Sequence, residues 1–193
     1  IDVTCNHIAF VGSGKDQTTI RGGFKIYNQQ LVKFEELTIT NPRQGGFGLW
    51  LLGLTNVDVV KCAVKECASC GIKVHYSTIT LTQCEIMENG NAGVYCHGET
   101  KARLNDCKMY HNQKEGLVAI TDATVVDLHG TKTDIHSNKR CGIRACFCGK
   151  VNIHLPTQHN TSHGNVKMDR YEYRGGSIAN INADGTFTHV DEV

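Results

Sequence analysis

At 193 residues, 40% hydrophobic and a formal net charge of +1, the chain has the size and apolar content of one domain with a core. That charge balance gives no electrostatic case for a nucleic-acid partner or an anionic membrane. No apolar run approaches the roughly 18 residues of a membrane-spanning helix, so no membrane insertion is expected. Only two prolines and little low-complexity sequence argue against a disordered tail.

The chain begins on strand-like Ile1-Asp2-Val3-Thr4, without a signal peptide or initiator Met, and is read as part of a longer protein. Ile8-Ala9-Phe10-Val11 predicts a strand and Gly12-Ser13-Gly14 a turn. Gly12-Ser13-Gly14-Lys15 has neither the full spacing of a phosphate-binding loop nor the helix after it, so no phosphate site is assigned there. Thr18-Thr19-Ile20-Arg21-Gly22 predicts a further strand, and residues 1–22 an opening rung.

From Gly23 onward the chain repeats. Short strands start after Gly23, Gly48, Gly71, Gly93, Gly116 and Gly142, at spacings of 25, 23, 22, 23 and 26 residues. A second alternation follows in each unit, as Val32/Phe34, Val57/Val59, Ile79/Leu81 and Ala102/Leu104, and more loosely as Val126/Leu128 and Val151/Ile153. A third pair completes the unit: Leu37/Ile39, Cys62/Val64, Cys84/Ile86, Cys107/Met109 and Thr133/Ile135. Asn89, Asn112 and Asn138 recur three residues later, with Cys67 in the same slot one unit earlier.

Each unit thus holds three short strands, each burying alternate residues. One unit cannot close a core, but units stacked in register can, because inward residues then lie above inward residues. The glycines predict tight corners or close backbone approach. The asparagines predict left-handed turn positions whose amides bond their stacked neighbours.

This pattern resembles the right-handed parallel β-helix of the pectin-lyase-like superfold. Its units look like the short-rung right-handed β-helix repeat modules. Carbohydrate-processing enzymes, periplasmic copper-maturation proteins and substrate-recruiting F-box proteins share those modules. The resemblance covers residues 1–155 and implies an all-β solenoid of about seven or eight rungs, roughly 35–40 Å long at strand spacing. Residues 156–193 are expected to form a C-terminal loop and hairpin cap of the same domain. The hairpin turns at Asn182-Ala183-Asp184-Gly185, with Ile178, Ile181 and Phe187 as packing residues.

The register predicts one outward column of unusual character: Lys25, Trp50, Lys73, Tyr95, Val118 and Arg144. Lys25, Trp50, Lys73, Tyr95 and Arg144 form a basic-aromatic strip and are the candidate binding residues. Trp50, the single tryptophan, is either a free stacking platform or a residue covered by a flanking loop. Other outward columns, such as Glu36, Lys61, Gln83, Asp106 and Lys132, mostly alternate in sign, as a parallel stack requires to avoid like-charge repulsion.

No catalytic residue is assigned. By resemblance, a β-helix hydrolase needs paired carboxylates, and a lyase or epimerase needs a base beside a site that neutralises a sugar carboxylate. The sequence shows no acidic column. Its nearest imitation is Asp127, His129 and Asp134 around an irregular rung.

Of the ten cysteines, Cys62, Cys84 and Cys107 form an inward column, and Cys96 also falls inward. Cys67/Cys70 and Cys146/Cys148 lack a second half for zinc. Cys70 and Cys141 stand about 14 Å apart at strand spacing, too far for a disulfide. Unpaired thiols point to a reducing, intracellular compartment, against the glycosylation sequon Asn160-Thr161-Ser162. His154, His159 and His163 read as parts of a polar loop, so neither a metal nor any other cofactor is expected.

The expected function is a non-catalytic scaffold or binding module. It would contact a protein partner, or a second copy, through a solenoid face or end. The alternative is a carbohydrate-active protein, lyase- or epimerase-like or glycan-binding, whose strip holds an acidic polysaccharide.

Overall fold

The structure is a computed structural model that describes residues 1–154 and 161–189. Leu155–Asn160, which include His159 and the sequon asparagine, and Val190–Val193 lie outside the described residues.

Three sheets run the length of a parallel solenoid. The first stacks Asp2–Val3, Phe24–Tyr27, Leu49–Leu52, Ile72–His75, Val94–His97, Leu117–Ile120, Cys141–Cys146 and Met168–Tyr173. The second stacks Ala9–Val11, Val32–Glu35, Asn56–Val60, Thr78–Thr82, Lys101–Asn105, Val125–His129, Lys150–His154 and Ser177–Ile181. The third runs from Thr19–Arg21 through Thr38–Thr40, Ala63–Lys65, Glu85–Met87, Lys108–Tyr110 and Asp134–His136 to Ser162–His163. Each strand pairs in parallel with its counterpart one turn along the chain, in the register that the alternation predicts.

The core is the inside of this tube. Phe34, Val59, Leu81, Leu104, Leu128 and Ile153 form one column of the second sheet, and all are buried. Burying a side chain of that size contributes about 1.5–3 kcal/mol. Cys62, Cys84, Cys96 and Cys107 are buried as expected, and all ten cysteines are free. Burial pushes the Cys62, Cys67 and Cys96 thiols up to about 12, so they behave as small apolar side chains.

The asparagines are ladder residues rather than left-handed ones. Positive φ falls one residue earlier, at Glu66, Glu88, His111 and Ser137. Asn89 Nδ2 donates to Asn112 Oδ1 at 3.0 Å, and Asn112 Nδ2 to Asn138 Oδ1 at 3.0 Å. Asn138 Nδ2 continues the ladder to Asn165 Oδ1 at 2.9 Å. Full burial of Asn89, Asn112 and Asn138 makes these bonds obligatory. Gly93 answers close approach: a Cβ there would lie 2.7 Å from the Gly116 carbonyl and 2.9 Å from Asn112 Nδ2.

The repeat does not end at Ile153. Met168–Tyr173 pairs with Cys141–Cys146, and Ser177–Ile181 with Lys150–His154, both in parallel. The expected loop and cap therefore contain another turn of the solenoid. That turn is disguised because Asp169 occupies the glycine slot and Arg170 and Glu172 stand in register with inward Ile143 and Ala145. Polar residues at inward positions of a terminal rung oppose further stacking. The hairpin forms as expected: Phe187–His189 returns antiparallel on Ser177–Ile181. Ile178 packs in the core, whereas Phe187 is exposed rather than packed.

Candidate functional site: a walled cleft on the first sheet

The register brings the predicted strip together. Lys25, Trp50, Lys73, Tyr95, Val118 and Arg144 follow one another along the outer face of the first sheet, and Tyr171 extends the line. Two features differ from a simple solvated face.

First, Trp50 is not a free platform. Phe47 packs on it with ring centroids 5.2 Å apart, and the ammonium groups of Lys25 and Lys73 lie 5.3 and 5.6 Å from its centroid. The loop-covered alternative holds, and the indole is half-buried. Trp50 Nε1 is buried without a hydrogen-bond partner.

Second, a wall flanks the strip. The residues preceding the rung glycines, Phe47, Cys70, Ala92, Glu115 and Cys141, stack because the glycine amides bond the carbonyl of the next turn. Gly48 N donates to the Cys70 carbonyl, Gly71 N to Ala92, Gly93 N to Glu115 and Gly116 N to Cys141. Cys70 and Ala92 join Val118 in a small apolar cluster outside the tube, packed by Phe47, Tyr95 and Ile120.

Strip and wall enclose a cleft of about 380 Å³. Its charged lining is Lys73, Lys114, Arg140 and Arg144 against a single carboxylate, Glu115. Glu115 is buried, and its Oε1 lies 3.5 Å from Arg140 Nη1 and 3.3 Å from Arg144 Nη1. A carboxylate so enclosed is stable only when paired, and the pairing fixes both guanidinium groups at the cleft edge. Arg144 Nε is buried with no hydrogen-bond partner. Burial also raises the Tyr95 phenol and the Cys70 thiol above their ordinary values, so both stay protonated near neutrality.

The cleft therefore joins Lys73, Tyr95 and Arg144 of the predicted strip. Trp50 sits behind Phe47, and Lys25 lies on the far side of Trp50. Lys114, Glu115, Arg140 and Phe47 escaped sequence reasoning. They belong to the turns before each glycine, where there is no strand alternation; the only signal was their fixed offset from the glycines.

The acidic imitation does not assemble. Asp127 lies on the outer face of the second sheet and bonds His154 Nε2 at 3.0 Å and Asn152 Nδ2 at 3.0 Å. Asp134 lies on the third sheet and bonds His163 Nε2 at 2.9 Å. His129 stacks on His154 with centroids 4.0 Å apart. Among the described residues, no group of three or more His, Cys, Asp or Glu side chains has the arrangement to hold a metal ion. Lys15 of the glycine-containing loop is committed to Glu85, at 2.8 Å.

Solenoid, three-sheet register and period agree with a family match: the profile described as "Right handed beta helix region" covers residues 5–165. The chain belongs to the right-handed β-helix family. That fold hosts scaffolds, binding modules and carbohydrate-active proteins, and does not choose among them. Comparison with curated proteins finds no match, and comparison with solved structures finds none.

Proposed function

We propose that the protein is a non-catalytic β-helix binding module that takes an acidic segment of a protein partner in the cleft of the first sheet. The observation that carries this is the charge of the lining: four cations and one carboxylate, the latter already committed to two arginines. Such a site attracts anions by field and holds them by charge-assisted hydrogen bonds.

Two features weigh against turnover. Paired-carboxylate hydrolysis needs a second acid, and Glu115 is the single one in the cleft. Base-promoted elimination needs a deprotonated group, and burial raises the Tyr95 phenol and the Cys70 thiol, which disfavours these two as the base.

An acidic polysaccharide is the second ligand to test, because Lys73 and Arg144 would also face sugar carboxylates. The environment of Trp50 counts against it, since Phe47, Lys25 and Lys73 already pack on the ring that would stack on a sugar.

The test is a titration that follows the fluorescence of Trp50, the single tryptophan, with polyglutamate, a neutral polymer and an oligouronate. Absorbance of the unsaturated elimination product is recorded in parallel. Saturable, salt-sensitive binding of polyglutamate without product is expected. Product formation from the oligouronate, or binding of the oligouronate alone, would overturn the proposal.

A further inference from the structure

The cleft has a long axis, and its charges are not spread evenly along it. Lys73, Tyr95, Val118 and Arg144 are consecutive register partners, so Lys73 and Arg144 stand three strand steps apart, about 14 Å. Between them the floor is Tyr95 and Val118, neither of them charged. Lys73 is backed by Phe47, with its Nζ 5.1 Å from the ring centroid. Arg144 is held by Glu115 at 3.3 Å. Both ends are therefore positioned before any ligand arrives, and the floor between them is uncharged, with Lys114 and Glu115 in the wall beside Val118.

Resting on the binding-module proposal, we infer that the cleft reads the spacing of two carboxylates. The partner segment is an extended peptide lying along the solenoid axis. One Asp or Glu meets Lys73, and a second, four residues further on, meets Arg144 and Arg140. An apolar side chain midway between them rests on Tyr95 and Val118. An extended chain advances about 3.3 Å per residue, so positions i and i+4 lie about 13 Å apart on one face. This matches the separation of the two cationic ends. Positions i and i+1 point to opposite faces and reach only one of them.

The test uses two peptides of equal composition and charge. In one, acetyl-Glu-Ser-Leu-Ser-Glu-amide, the acids stand four apart. In the other, acetyl-Glu-Glu-Leu-Ser-Ser-amide, they are adjacent. The spaced peptide is expected to bind about tenfold tighter, the effect of one additional charge contact. Lys73→Met and Arg144→Met should each abolish that preference, and Lys73→Met should leave the melting curve of the protein in place. Lys73→Met stands outside the Glu115 cluster, so it keeps the test valid if Arg144→Met disturbs folding. Equal binding of the two peptides would overturn the spacing inference and leave the binding module standing. Binding of neither peptide, with an oligouronate bound instead, would overturn both.

Discussion

The outer faces of the first and second sheets share one backbone repeat and use it in opposite ways. On the second sheet the outward column reads Lys33, Asp58, Thr80, Arg103, Asp127 and Asn152. Its polar groups answer one another. Asn152 and His154 bond Asp127, Arg103 Nε donates to Asn105 Oδ1 at 3.2 Å, and Asn105 Nδ2 donates to Thr82 Oγ1 at 3.3 Å. On the first sheet the cations outnumber their partners, and a turn-built wall turns the face into a cleft. A parallel stack that satisfies its own charges has little left to offer a ligand. A stack that leaves them uncompensated beside apolar side chains does, which is why binding is proposed for the first face alone.

The largest effects should come from the frame that both faces share. Gly93→Val has no room beside the Gly116 carbonyl, and should cost more than about 4 kcal/mol in denaturant unfolding. Asn112→Leu breaks a buried ladder with a bonded neighbour on each side, and should cost about 2–4 kcal/mol. In both variants stability falls and ligand binding falls with it.

Changes in the cleft should separate the two properties. Lys73→Met should weaken polyglutamate binding about tenfold, or about 1.4 kcal/mol, while the unfolding midpoint stays in place. The counterpart on the second sheet, Arg103→Met, should alter neither binding nor stability by more than about 0.5 kcal/mol.

Acid should affect all three sheets at once. His75 on the first, His129 on the second and His136 on the third each have a pKa lowered from the ordinary 6.5, burial being the first cause in each. Stacked neighbours add to this: His97 beside His75, His154 beside His129, and His163 beside His136. The unfolded chain takes up these protons first. The stability tied to the neutral rings is therefore complete above pH 6.5 and lost as pH falls through 6.5 toward the lower folded values. Thermal midpoints should drop across that window, and His129→Gln should flatten the drop.

The tube was legible because its period repeats in the glycines and in the alternating apolar pairs, and alternation alone places Lys73, Tyr95 and Arg144 on one line. The wall was hidden because turn residues carry no alternation. Phe47 and Glu115 differ in chemistry, and what unites them is an amide-to-carbonyl stack visible only in three dimensions. The last rung was hidden for another reason. Asp169, Arg170 and Glu172 break the apolar code where the stack must stop, so the signal that ends the solenoid also erases its repeat.

Binding on the first face and not the second can be mapped by backbone amide chemical shifts during titration with polyglutamate. Perturbations should gather at Lys73, Tyr95, Lys114, Val118 and Arg144, while Arg103, Asp127 and Asn152 stay unmoved. Perturbations centred on the second sheet, or none at saturating polyglutamate, would contradict it.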